Sequence, residues 1–162
     1  MFRVIVLLVT LAALPVFSSP ERDSLKLDWM MVNHSEIELI LGKKETVSVI
    51  PIINTLVDIW SKRDGGISGE VSPLIVNALT TNTEYTLSMM SDYPDSFQDW
   101  LEELDGIVFT DLTGLESEHL NQEKDNLVQA LKNYTKNGNS DLGVFAQRLI
   151  KRLESISIQV VD

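Results

Sequence analysis

The chain has 162 residues and a formal net charge of −11, with 24 Asp and Glu against 13 Lys and Arg, and it contains no cysteine. This balance excludes nucleic acid and anionic membrane surfaces as partners, because both are bound by Lys and Arg that replace counterions. Without cysteine there are no disulfides and no thiol nucleophile, so the fold has to be stabilised by packing alone.

Residues 1–18 have the features of a secretory signal peptide. Arg3 is followed by an apolar run too short to span a bilayer comfortably, and Val16 and Ser18 suit the −3 and −1 positions of a cleavage site. We expect cleavage after Ser18, with an uncleaved anchor as the alternative, and no further membrane contact. Residues 19–162 then form a single helical domain, and losing Arg3 changes the net charge from −11 to −12.

The expected location is the periplasm or the extracellular medium. A small exported domain without cysteine is more typical of bacteria than of animal secretory pathways, where disulfides are common. The sequons at Asn33 and Asn133 point weakly the other way, since they have a meaning only where a glycosylation pathway exists.

Two short elements are predicted before residue 45. From Leu25 to Met31 the apolar residues alternate as in a strand, but they equally suit the start of a buried helix. Ser35 and Glu38 have the spacing of a capping box, and Gly42 suits the end of the helix that this box would open.

The most apolar stretch outside the signal, residues 46–62, is predicted to be a helix at the centre of the core. Its branched residues favour a strand, but its length exceeds that of a usual strand. With Ser48 as N-cap, Pro51 would lie in the first turn, where its missing N–H costs nothing. One helical face carries the apolar residues Val49, Ile52, Ile53, Leu56, Val57 and Trp60.

Three further helices are predicted in the middle of the chain, after a flexible loop at the glycine-rich segment 65–69. Their starts are expected at Ser72-Pro73, at Thr83, and at Asp95 or Ser96. The third ends at Gly106 and is the second-clearest helix of the chain. Its inward face carries Phe97, Trp100, Leu101 and Leu104.

Two long helices are predicted in the last third of the chain. Thr113 and Glu116 form a second capping box, and the helix that it opens ends at Gly138. Ser140 caps the final helix. The tail after Leu153 fits either a strand or a continued helix. The inward residues of the two helices are Leu120, Leu127, Leu131, Tyr134, Phe145, Leu149, Ile150 and Leu153.

The predicted fold is mostly α, a compact domain of about six helices. A small sheet of two or three strands is compatible with it, because period-two alternation appears near Leu25, Val108 and Ile158.

The two histidines, His34 and His119, are the scarcest potential ligands. Glu116 and His119 form one Glu-x-x-His step, whereas a carboxylate-bridged di-metal bundle needs two. We interpret the single step as an acidic first helical turn, which the helix dipole favours.

The other motifs with chemical meaning are incomplete. Residues 137–141 begin like a calcium loop, but Leu142 and Arg148 stand where glycine and glutamate are required. There is no Gly-x-Ser-x-Gly elbow, and segment 65–69 lacks the Lys-Ser/Thr of a phosphate loop. The sequence therefore predicts no catalytic, cofactor-binding or metal-binding residue.

The function expected from these observations is that of an exported, non-enzymatic protein that binds another protein, with its acidity steering a basic partner toward it. One alternative is a carrier of a small apolar ligand between helices, motivated by Trp29, Trp60, Trp100 and two methionine pairs. The other is a carboxylate-based hydrolase, with a metal near His119.

Overall fold

The computed structural model describes residues 19–43, 46–63 and 65–161, so the signal peptide predicted for residues 1–18 lies outside the described residues. The described part is mostly helical with one small sheet, which confirms the predicted fold class. Its elements are α1 (Ser19–Val32), α2 (His34–Leu41), α3 (Thr46–Ser61), α4 (Gly65–Thr81), α5 (Thr83–Ser91), α6 (Pro94–Ile107), β1 (Thr110–Asp111), α7 (Ser117–Asn137), α8 (Ser140–Ser155) and β2 (Gln159–Val160).

Two helices, α3 and α4, form the centre of the core. The face predicted for α3 is buried along its whole length, from Val49 to Trp60. α3 contacts α1, α2, α4 and α5, whereas α4 contacts α2, α3, α5, α6 and α7. The central position predicted for α3 alone is therefore shared with α4.

The start predicted for α4 is wrong. The helix begins at Gly65 instead of Ser72, so the segment interpreted as a flexible loop forms its first turns. Ser68 and Val71 are buried in these turns. Tertiary burial of this kind outweighs the low helix propensity of glycine, which is only about 1 kcal/mol per residue.

Both central helices contain a proline beyond the first turn. α3 begins at Thr46, so Ser48 is not its N-cap and Pro51 lies in the second turn. Pro51 and Pro73 are both on the exposed side of their helices. The carbonyl group four residues before each proline lacks its helical N–H partner, but it lies on the side that water reaches. The helices therefore tolerate these prolines.

Aromatic side chains join the core helices. Trp60 and Trp100 are fully buried and meet edge to face, with ring centroids 6.3 Å apart at 86°. The indole N–H of Trp100 donates to Ser72 Oγ at 3.1 Å. Phe97 packs on Phe145 of α8 with centroids 5.2 Å apart. α6 is thereby fixed to α3 and α4 through Trp100, and to α8 through Phe97.

The N-caps of the other helices lie one to three residues from the predicted ones. Neither predicted capping box is present, because α2 begins at His34 after Asn33, and α7 begins at Ser117 after Glu116. α8 is preceded by Asn139, whose Oδ1 accepts the N–H of Asp141 at 2.9 Å. The segment at 137–141 is thus a turn followed by a helix cap.

The sheet is a single parallel pair in which Thr110 lies opposite Gln159, and Asp111 opposite Val160. The tail of the chain leaves the helix after Ser155 and becomes β2, which decides between the two predicted alternatives. The segment at Leu25 is helical and takes no part in the sheet. None of the described helices is long and apolar enough to cross a bilayer.

Candidate functional site

The two histidines lie on different helices. His34 is the first residue of α2, and His119 is exposed on α7 with its Nε2 3.6 Å from Glu123 Oε1. In the described ranges, no three His, Asp or Glu side chains are grouped as metal ligands. Glu116 precedes α7, so the Glu-x-x-His step is not contained within the helix, and its backbone N–H donates to Asp111 Oδ2 at 2.9 Å.

The densest group of polar contacts surrounds Asp111, a residue that the sequence analysis did not select. Its side chain is fully buried, and Oδ1 accepts the backbone N–H groups of Thr113 and Gly114 at 3.1 and 2.7 Å. Oδ2 accepts the N–H of Glu116 and the hydroxyl of Ser117, the latter at 2.6 Å. The carboxylate thus satisfies hydrogen-bond donors of the loop that leads into α7.

These contacts determine the charge state of Asp111. The hydrogen bond from Ser117 holds the pKa of the carboxyl well below its usual range, burial opposes this effect, and the backbone N–H groups of Glu116, Thr113 and Gly114 add to it. Both carboxylate oxygens are already occupied by protein donors. We therefore assign Asp111 a structural role. The signal in the sequence is an aspartate followed by Thr113-Gly114 ahead of a helix, a pattern typical of an Asx-turn.

A second polar group joins α1 to α3. Asp58 pairs with Lys26 of α1 and with Lys62 at 3.2 Å, while Lys62 also pairs with Asp23 at 2.8 Å. Burial alone would raise the pKa of Asp58, but the hydrogen bonds from Lys26 and Lys62 outweigh it and leave the pKa below its usual value. Lys26 and Asp23 of α1 thus pair with Asp58 and Lys62, respectively. These ion pairs attach α1 to the end of α3.

The cleft beside this group is small. It is bordered by Leu27, Ile59 and Ile67 and has a volume of about 160 Å³. Small-molecule sites usually have roughly 300–1,000 Å³. This cleft therefore gives no support to the alternative of an apolar-ligand carrier. Nor do the methionine pairs line this cleft, since Met30 and Met90 are fully buried in the core and neither Met31 nor Met89 borders it.

The side of α1 that faces away from the core is also apolar. Leu25, Trp29 and Val32 are 56%, 37% and 83% exposed, and their spacing of i, i+4 and i+7 places them in one stripe. We call these three residues the α1 face. The opposite side of α1 packs through buried Met30 and half-buried Leu27. α1 is thus apolar on two sides, of which the fold covers one.

Comparison with known proteins does not explain this surface. The chain matches no family model, no curated protein and no solved structure. The function of the chain therefore has to be inferred from its own residues.

Carboxylates border the α1 face. Glu21 and Asp28 are exposed and lie four before and three after Leu25, on the same side of the helix. They outnumber the exposed cation on that side, Arg22, which lies three before Leu25. On α2, Leu39 is 68% exposed and follows exposed Glu36 and Glu38. The exposure of α1 was not predicted, because the alternation at Leu25 to Met31 was compatible with a strand. The available signal was a double helical stripe, with Leu27 and Met30 opposite Leu25, Trp29 and Val32.

Proposed function

We propose that this chain is an exported, non-enzymatic helical domain that binds another protein through the α1 face. The observation that supports the proposal is the exposure of three large apolar side chains in one stripe. Single exposed apolar residues are normal on protein surfaces, but a contiguous row marks a surface that gains free energy when a partner covers it.

The partner that fits this surface is a basic segment with an apolar side. Glu21 and Asp28 beside the α1 face attract Lys and Arg, and a net charge of −11 favours the encounter with a basic protein. An acidic partner would be repelled by the same charges. The complex is therefore expected to weaken as the salt concentration rises.

The affinity is expected to be modest. Three side chains make a smaller surface than the roughly 800 Å² that each partner contributes to a stable complex. α1 contacts only α2 and α3 among the helix pairs with close packing. A partner can thus cover its outer side without disturbing the core.

Site-directed photo-crosslinking tests the proposal. A photoreactive residue is placed at position 25 or 32 of the exported protein, with position 147 on α8 as a matched exposed control. We expect one dominant adduct from the first two positions, containing a basic protein, and none from the control. Adducts of equal yield at all three positions, or no adduct at positions 25 and 32, would contradict binding at the α1 face.

The captured partner then allows a quantitative comparison. Leu25→Ser with Val32→Ser is expected to weaken binding about tenfold, since the few anchor residues of an interface each cost more than about 1 kcal/mol when truncated. Val144, which is 61% exposed on α8, gives the matched control Val144→Ser, which should leave the affinity unchanged. If the control weakens binding as strongly, the contact is non-specific and the proposal is wrong.

A further inference from the structure

Three cations lie on one side of α8 in an otherwise acidic protein. Arg148, Lys151 and Arg152 are spaced i, i+3 and i+4, so their side chains share one side of the helix. Together with Gln98 and Glu102 of α6 they line an open cleft of about 550 Å³. Since the chain has 13 Lys and Arg against 24 Asp and Glu, this cluster has the opposite sign to the protein as a whole.

Arg152 holds the two helices together. Its Nε donates to the carbonyl oxygen of Leu101 at 2.7 Å, and its Nη2 donates to that of Glu102 at 3.1 Å. The guanidinium also pairs with Asp105 at 2.9 Å. Because most of its donors and its charge are already satisfied within the protein, we assign Arg152 a structural role in this cleft.

Arg148 and Lys151 differ from Arg152, because neither forms an ion pair with a carboxylate in the part of the chain that the structure describes. Nη2 of Arg148 donates to the amide oxygen of Gln98, and its guanidinium lies 5.4 Å from the centroid of the Phe97 ring. Lys151 is exposed and has no ion-pair partner within residues 19–43, 46–63 and 65–161. The α8 wall therefore carries two unneutralised positive charges, opposite the single carboxylate of Glu102.

The guanidinium of Arg148 is held in place by its neutral partners. Gln98 accepts from Arg148 and donates its amide N–H to Glu102 Oε1, so its orientation is determined from both ends. Phe97 is fully buried and packs on Phe145. A guanidinium positioned in this way keeps N–H groups free, and these bind two oxygens of a phosphate or carboxylate side by side.

We propose that the cleft between α6 and α8 binds a small anion bearing phosphate or carboxylate groups, through Arg148 and Lys151. Arg148 supplies paired N–H donors, and Lys151 supplies a mobile positive charge. The site is open to solvent, so its affinity is modest and decreases with salt. The charge of this site is opposite in sign to that of the carboxylates beside the α1 face. Its proposed role does not depend on the proposed protein-binding function.

Titration with pyrophosphate and with citrate, followed by backbone amide NMR at low salt, tests this inference. We expect saturable shifts that concentrate in α6 and α8. Arg148→Gln with Lys151→Gln should weaken binding by about tenfold or more, because charge-assisted hydrogen bonds are the main source of affinity. A stronger response to pyrophosphate assigns the site to phosphates, and a stronger response to citrate assigns it to carboxylates.

A matched control removes the same charge elsewhere. Lys43 and Lys136 are exposed and do not line this cleft, so Lys43→Gln with Lys136→Gln should change the affinity by less than about twofold. Arg148→Lys keeps the charge but removes the planar fork, and it should weaken binding severalfold with an unchanged circular dichroism spectrum. Equal weakening in both double variants, shifts outside α6 and α8, or no saturable shift with either anion would overturn the proposal.

Discussion

Ser117 donates its hydroxyl hydrogen to Oδ2 of Asp111 at 2.6 Å, across the junction between β1 and α7. The same carboxylate accepts the N–H groups of Gly114 and Glu116. Gly114 has a φ of +72°, which a residue without a side chain adopts at little cost. One buried aspartate therefore closes the turn that leads into α7. The N-cap predicted at Thr113 is instead Glu116, which makes no side-chain cap hydrogen bond.

Asp111→Asn is expected to destabilise the protein at neutral pH. The amide keeps one oxygen acceptor but presents an NH₂ group to donors that need an acceptor, so at least one buried hydrogen bond is lost. The pKa of Asp111 is lowered in the folded state, so its contribution is present above the ordinary carboxyl pKa and is lost as the pH falls through the folded value. Urea unfolding should show a lower midpoint for the variant at pH 7, and a difference from the wild type that shrinks below pH 4.

Asp125→Asn is the control for this measurement. Asp125 is exposed on α7, and its substitution removes the same charge from the same helix. We expect an unfolding midpoint close to that of the wild type at every pH. A similar loss of stability in both variants would attribute the effect to net charge and not to the Asp111 contacts.

Ser72→Ala is expected to destabilise the protein by about 1–3 kcal/mol, because it leaves the buried N–H of Trp100 without an acceptor. Ser72 and Trp100 are both fully buried, and the bond between them measures 3.1 Å. Trp100→Phe removes the donor, so adding Ser72→Ala to it should cost clearly less than Ser72→Ala alone. A double-mutant cycle by urea unfolding measures this coupling, and strictly additive losses would show that the hydrogen bond contributes nothing.

Ser72 also shows why the sequence predicted the helix faces better than the helix starts. Inward faces follow from the 3.6-residue period alone, and those predicted for α3 and α6 are buried as expected. Ser72 followed by Pro73 satisfies the local rule for a helix start. Its actual role depends on Trp100, 28 residues away in the sequence, and no local pattern contains that contact.

The candidate sites were even less predictable from sequence. An apolar stripe on α1 indicates a buried face, and only the packing of α1 by its other side shows that the stripe remains exposed. The positive charge of the cleft between α6 and α8 likewise depends on which of its cations form ion pairs with carboxylates. Arg152 pairs with Asp105, whereas Arg148 donates to the neutral amide of Gln98. This difference is determined by how α6 packs beside α8.

Gly138→Ala is expected to destabilise the protein by roughly 1–3 kcal/mol through overpacking. The φ of Gly138 is −89°, so its backbone suits any residue, but an added Cβ would lie 2.5 Å from Cδ2 of the Tyr134 ring. That ring cannot move freely, because its hydroxyl accepts the N–H of Asn139 at 3.1 Å. At Gly143 of α8 an added Cβ meets no atom of the described residues within 4 Å beyond its chain neighbours and its own helical backbone, so Gly143→Ala should stabilise by about 0.5–1 kcal/mol. Thermal unfolding of the two variants should shift in opposite directions, and equal shifts would refute the steric explanation.

Asp58→Asn is expected to loosen α1 while leaving most of the core intact. Among the described side chains of α1, Met30 belongs to the core and half-buried Leu27 packs against it, so the ion pair between Lys26 and Asp58 matters more than usual. The loss of global stability should be about 1 kcal/mol or less, as is typical for partly exposed pairs, but amide hydrogen exchange in α1 should accelerate.

The pH dependence of this attachment has two limits. The pKa of Asp58 is lowered from 3.8, so its stabilisation is present above that value and is lost as the pH falls through the folded pKa. The hydrogen bond to Asp23 raises the pKa of Lys62 above 10.5, so the stabilisation by Lys62 is present below 10.5 and is lost as the pH rises through the folded pKa. Exchange in α1 should therefore be slowest, relative to the intrinsic rate, between these limits. The control Asp28→Asn removes an exposed charge from α1 itself and should leave amide exchange in α1 unchanged. A faster exchange in this control would mean that the charge of the helix, not its contact with α3, holds α1 in place.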